Sequence, residues 1–154
     1  MRYRVCRAFE VESGHMLSKH AGRCRYPHGH TRRVEVVVSR EGLDERDMVC
    51  DFKALKLAVA GHLERLDHAL AVNSEDPALG GFSGELRARV VVFAGEDPTT
   101  EVLARRIYEH LEGEIAAGRE YRERDGELYR IPSDLVLESV RVGETSTSWA
   151  EYGL

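Results

Sequence analysis

Cysteine and proline are scarce in this chain, long apolar runs are missing, and one stretch holds no acidic residue. The three cysteines, Cys6, Cys24 and Cys50, are too few and of the wrong parity for a disulfide framework, so they read as free thiols in a reducing compartment. Apolar runs such as Val90–Phe93 fall far short of the roughly 20 residues of a membrane-crossing helix. The opening Met1-Arg-Tyr-Arg has no apolar signal core. The expected location is cytoplasmic, with no membrane or nucleic-acid partner, because a net charge of -5 is the reverse of a nucleic-acid binder's footprint. What is there is a 154-residue chain, 42% hydrophobic and 32% charged, the size and balance of one globular domain spanning 1–154.

Between Ser18 and Arg33 there are five cationic residues, Lys19, Arg23, Arg25, Arg32 and Arg33, with three histidines and no Asp or Glu. That window carries +5 and the remainder -10, an asymmetry that marks a local anion site. A solvated basic loop has the same composition, so charge alone names no ligand.

Val5, Phe9, Val11 and His15 share one parity against Arg4, Glu10 and Glu12, the pattern of a half-buried strand. A second strand places His28, His30, Val34, Val36 and Val38 on one face. Asp51 offers a cap for a helix to about Leu66, with Phe52, Leu55, Val59, Leu63 and Leu66 as its buried stripe. Asn73 to Gly84 reads as a loop, Val90–Phe93 as a short strand, and Asp97-Pro98 as a helix start with Asp97 capping. Leu103, Ile107, Leu111 and Ile115 form the second helical stripe, Gly118 to Arg130 a charged excursion, and Leu135–Val142 with Ser146–Tyr152 a final pair of strands. The expected fold is α+β, order ββααββ: an antiparallel four-stranded sheet with two helices packed on one face. Its unpaired edges and the apolar Val37 and Val90–Phe93 point to a homo-oligomer.

The chemistry concentrates in Cys24-Arg-Tyr-Pro-His28-Gly-His30, with His15 upstream. His28 and His30 are two apart, so in an extended chain both rings leave the same face. A third imidazole from the neighbouring strand completes a facial nitrogen set, the ligation of a zinc ion that keeps a position open. Cys24 is either a fourth ligand, closing a structural site, or a thiolate base or nucleophile beside the metal, and its cationic surroundings favour the thiolate in both cases. Asp67-His68 and Glu144, each taken alone, are an ordinary helix-end pair and a strand-end carboxylate.

Together these pieces resemble a known family. Gly14-His15, Cys24 with His28-Gly-His30, Met48-Val-Cys-Asp51-Phe52, Leu66-Asp67-His68, Pro98-Thr-Thr-Glu101 and Glu144-Thr145 are similar, in order and spacing, to the 6-pyruvoyl-tetrahydropterin and 6-carboxy-5,6,7,8-tetrahydropterin synthases of the tunnelling fold. Arg32 departs from the pattern, standing where many members carry an aromatic. The resemblance implies Zn2+ on His15, His28 and His30, a catalytic thiol at Cys24, and a proton-handling pair in Asp67 and His68. It also implies a pterin-gripping carboxylate at Glu144, helped by Thr99, Thr100 and Thr145. The substrate it implies is 7,8-dihydroneopterin triphosphate, for whose phosphates Lys19, Arg23 and Arg25 are candidates on charge. The implied product is 6-carboxytetrahydropterin, with acetaldehyde and triphosphate released, on the route to 7-deazaguanine and queuosine. A 6-pyruvoyl-tetrahydropterin synthase, which eliminates triphosphate and keeps the side chain, is the alternative lyase, and a non-catalytic structural zinc oligomer the alternative outside catalysis. The implied assembly is a dimer of trimers with active sites between subunits.

Overall fold

A computed structural model describes residues 1–154. Strands β1 (Tyr3–His15) and β2 (His28–Arg40) pair antiparallel along their whole length, from Tyr3 opposite Arg40 to His15 opposite His28. The alternation that marked them as half-buried decides which face they cover. Val11, Ser13 and His15 of β1, and Arg32, Val34, Val36 and Val38 of β2, are buried on one face, while Arg4, Glu10, Thr31 and Arg33 stand exposed on the other.

Helices α1 (Phe52–Leu66), α2 (Gly84–Ala88) and α3 (Thr100–Ala116) and strands β3 (Ala69–Asn73), β4 (Val90–Phe93), β5 (Glu120–Arg122), β6 (Leu128–Arg130), β7 (Val136–Thr145) and β8 (Ser148–Gly153) complete the chain. The expected four-stranded antiparallel sheet with two helices is corrected to a six-stranded mixed sheet, order β4-β3-β1-β2-β7-β8, with three helices. The two strands added to the sheet are β4, expected only as a separate short strand, and β3, which was not expected. Strand β3 joins β1 in parallel, Ser13 opposite Ala69, and carries β4 on its outer side, also in parallel. Its five residues, Ala69-Leu-Ala-Val-Asn73, are too short and too uniformly apolar to show a period of two. The excursion after Gly118 is the β5–β6 hairpin, and the loop after Asn73 holds a 3-10 turn at Pro77–Gly81 before α2.

Asp51 caps α1 by accepting from the Lys53 amide at 2.7 Å. Leu55, Val59, Leu63 and Leu66 are buried as the spacing predicts, but Phe52 is 46% exposed, because the first helical residue lies beyond the sheet contact. The second correction concerns α3, whose cap is Thr99, accepting from the Val102 amide, and not Asp97. Asp97 turns inward instead. Its carboxylate accepts from Ser18 Oγ at 2.6 Å, the Lys19 amide at 2.8 Å and Asn73 Nδ2 at 2.9 Å, tying the basic loop and the end of β3 to the start of α3. One apolar cluster unites the sheet with α1 and α3, including Val34, Val36, Leu55, Val59, Leu103, Ile107 and Leu111. No helix is long and apolar enough to cross a membrane.

Candidate metal centre

The β1–β2 register sets His15 directly across from His28 and Ser13 across from His30, so three imidazoles meet at one end of the sheet on its helix-facing side. The ring centroids lie 4.5–5.1 Å apart. His15 Nδ1 donates to the Pro98 carbonyl at 2.8 Å, and His28 Nδ1 to the Tyr26 carbonyl at 2.8 Å. A carbonyl oxygen can only accept, so the proton sits on Nδ1 in both rings and the Nε2 lone pair is free. His15 Nε2 is 3.1 Å from His30 Nε2, and His28 Nε2 is buried without a hydrogen-bond partner.

Arg32 Nη2 is 3.4 Å from His15 Nε2, while His28 Nε2 meets no protein donor at all. Imidazole nitrogens converging in this way are what a divalent ion requires, and the three histidines together with Glu144 form a group able to hold one. Burial is the main cause that depresses the His15 imidazole, to about 4, and the Arg32 cation beside it acts in the same direction. His30 is lowered as well, again chiefly by burial. Both rings are therefore neutral at physiological pH, the form that ligates metal.

Glu144, on β7, is no free strand-end carboxylate. Its Oε1 lies 3.0 Å from His30 Nε2 and 3.7 Å from His15 Nε2. Its Oε2 accepts from Arg32 Nη1 at 2.9 Å and from the Thr100 hydroxyl. Arg32 is only 2% exposed, also donates to Thr100 Oγ1 at 2.9 Å, and lays Nη2 against the His15 ring. Burial lowers the guanidinium's pKa, opposed by the Glu144 carboxylate. In the sequence Arg32 counts toward the basic window and departs from the family pattern, with no role of its own beyond that. The signal was its parity, since a cation sharing a face with His30 and Val34 must find a buried anion.

The other candidate residues separate into two groups. Thr99, Thr100 and Glu144 line, with His15, Glu101 and Trp149, a cleft of about 310 Å³. Cys24 is half-buried in the 3-10 turn Arg23–Arg25 and stands outside the group of converging donors. Lys19, Arg23 and Arg25 are exposed, and Thr145 is exposed and bonded to Ser148 within the β7–β8 turn. Asp67 accepts from the Glu12 amide and, through Oδ2, pairs with His68 Nδ1 at 2.9 Å, while His68 itself is held by its amide on the Glu12 carbonyl. Glu12 faces the other side of the sheet, and neither Asp67 nor His68 bonds to the three histidines within the chain.

An α+β sheet that brings three histidines from one strand pair to a single point, with a carboxylate beside them, defines a class of small proteins with a donor group able to hold a metal ion. Sequence comparison narrows it: the model of the 6-pyruvoyl tetrahydropterin synthase family matches residues 4–153, and the chain belongs to that family. A 6-carboxy-5,6,7,8-tetrahydropterin synthase of Aquifex aeolicus is 29% identical, covering 99% of this chain and 98% of its own. One from Rickettsia bellii is 31% identical over 71% of this chain and 77% of its own. Among solved structures, an uncharacterized protein from Wolinella succinogenes superposes with a TM-score of 0.76 at 22% identity, over 99% of this chain and 98% of that one. The 6-pyruvoyl tetrahydropterin synthase of Caenorhabditis elegans gives 0.65 at 19% identity, over 100% and 96%, and shares the fold.

Proposed function

We propose that this chain is a zinc-dependent 6-carboxy-5,6,7,8-tetrahydropterin synthase, acting as a homo-oligomer. The observation that carries the reading is the convergence of three Nε2 atoms, two of them left unprotonated by carbonyls on Nδ1, with His28 Nε2 lacking any protein partner. Relatives bearing that name cover almost the whole chain, which supports the choice of reaction. In this reading 7,8-dihydroneopterin triphosphate and one water yield 6-carboxytetrahydropterin, acetaldehyde and triphosphate, a lyase reaction on the way to 7-deazaguanines.

His15, His28 and His30 would hold the zinc, which when bound would supply Lewis-acid polarisation of the substrate's side-chain oxygens. Cys24, as thiolate, removes a proton from carbon on one side of the substrate side chain. His68, with its Nδ1 oriented by Asp67 Oδ2, moves protons on the other side. His68 makes no hydrogen bond to the three histidines of its own chain and lines, with Glu12, Gly29 and His30, an open cavity of about 300 Å³; in an oligomer with sites between subunits it serves the centre of a neighbouring subunit. Glu144 grips the guanidine-like edge of the pterin ring, with Thr99 and Thr100 lining the same cleft and Thr145 adjoining Glu144 at the end of β7. The exposed Lys19, Arg23 and Arg25 neutralise the triphosphate.

The test is turnover of dihydroneopterin triphosphate by zinc-loaded protein, with products identified by mass. Acetaldehyde with the carboxy pterin is expected. A pyruvoyl pterin without acetaldehyde transfers the assignment to the other lyase of the family, and no consumption of substrate overturns both.

A further inference from the structure

Glu144 faces two sets of partners, the histidines on one oxygen and the Arg32 cation on the other. Its Oε1 lies 3.0 Å from His30 Nε2 and 3.7 Å from His15 Nε2, separations at which neighbouring ligands of one ion stand. Its Oε2 is held by Arg32 Nη1 at 2.9 Å and by the Thr100 hydroxyl. A carboxylate so close to a divalent ion on three imidazoles is drawn toward it as a fourth ligand, and that would close the coordination position the proposed reaction needs. The opposing pull comes from a guanidinium only 2% exposed, with little water to screen it. Arg32 Nε has no hydrogen-bond partner, so what holds this cation in place is its contacts through Nη1 with Glu144, Thr100 and the Gly143 carbonyl and through Nη2 with the His15 ring.

We infer that Arg32 is a positioning residue that keeps Glu144 from closing the metal centre, leaving the carboxylate available to the ring edge of the substrate. The role of Glu144 toward substrate rests on the function proposed above; the restraint by Arg32 does not. Removal of Arg32 then has an unusual sign. A residue that merely supports the site weakens metal binding when it is lost, whereas losing a competitor for Glu144 strengthens it.

The test uses full-length protein loaded with cobalt(II), with affinity read by chelator competition and coordination by visible absorption. Arg32→Met should bind cobalt about 10-fold more tightly, the scale of outer-shell effects on metal sites, with an altered spectrum. The double variant Arg32→Met/Glu144→Gln should lose that gain, and Arg32→Lys should stay close to wild type. Equal or weaker cobalt binding with an unchanged spectrum in Arg32→Met overturns the inference. Should that variant not fold, Glu144→Gln alone decides: an unchanged cobalt spectrum is expected, and a changed one means that Glu144 is already a ligand. In turnover assays Arg32→Met should raise KM for dihydroneopterin triphosphate more than it lowers kcat. If wild-type protein does not consume that compound, the proposed function fails while the cobalt measurements still decide the role of Arg32.

Discussion

Replacing Asp97 should loosen the loop that carries Cys24. The carboxylate is 6% exposed and accepts hydrogen bonds from Ser18 Oγ, the Lys19 amide and Asn73 Nδ2, the last belonging to a residue with no exposed surface. Three bonds to a charged acceptor at about 1.5–3 kcal/mol each give a gross value of roughly 5–9 kcal/mol. They share one acceptor, so they do not add, and the loop donors can recover water. The buried Asn73 amide cannot, which costs about 1–3 kcal/mol. Asp97→Ala is therefore expected to lose about 3–5 kcal/mol in urea denaturation, a large part of the roughly 5–15 kcal/mol of an ordinary domain. Amide exchange at Leu17, which donates to the Cys24 carbonyl at 3.1 Å, should accelerate, and turnover should fall while metal stays bound. The pH dependence supplies a second check. Burial raises the Asp97 carboxyl, but the bonds from Ser18, Asn73 and Lys19 outweigh it and hold the group below its ordinary value. A depressed carboxyl stabilises the fold above the unfolded pKa of about 3.9 and loses that contribution as pH falls through the lower folded value. The gap between wild type and variant should be full at pH 7 and close only below about pH 4. A variant within about 1 kcal/mol of wild type, or a gap that persists undiminished in strong acid, refutes the reasoning.

His62 stacks on His110 at 4.8 Å and is depressed to about 4, first by burial and then by His110, Arg65 and Arg106. Its neutral form is favoured in the fold, so stability is complete above pH 6.5 and declines toward pH 4, by about 1–2 kcal/mol after allowing for its partial exposure; His62→Gln should flatten that slope, and an unchanged slope contradicts the assignment. Cys24→Ala should retain the metal, since its sulfur stands outside the converging donors, yet abolish turnover, and a fully active variant removes the thiol from the chemistry. Gly14 and Gly29 face each other across β1 and β2 but should respond differently to Ala. A Cβ at Gly14 meets the Ala69 carbonyl and Leu70 at 3.3 Å, whereas at Gly29 the nearest atom is 3.5 Å away, so Gly14→Ala is expected to cost about 1–2 kcal/mol and Gly29→Ala nothing measurable, with equal melting temperatures counting against the argument.

Periodicity reveals elements whose neighbours lie nearby in sequence. Strands β1 and β2 alternate over 13 residues each, and α1 and α3 bury regular stripes, so all four are readable. Strand β3 is not, for two physical reasons. It follows a left-handed turn at His68, φ 53°, that no local motif announces. It also lies between β1 and β4, where its last three residues are buried and no polar alternation survives. Without β3 the sheet appears antiparallel, because both parallel pairings involve it.

The same division holds at the metal centre. His28 and His30 share a face by spacing, and their meeting with His15 needs only an antiparallel pairing of two adjacent strands, a local event. His28 is held by the Tyr26 carbonyl two residues away, but the other supports come from far along the chain: the Pro98 carbonyl lies 83 residues from His15, and Glu144 lies 112 from Arg32. Asp97 illustrates how such distance misleads. Next to Pro98 it has every local mark of a helix cap, yet the donors of Ser18, Lys19 and Asn73 compete for the same carboxylate. They prevail because the Asn73 amide is buried and has no water to turn to, while the first turn of α3 can use Thr99. A buried donor claims the nearest strong acceptor whatever local role that acceptor could play, and by the same rule the buried Arg32 takes the Glu144 carboxylate in a site where residue spacing by itself reveals only the histidines.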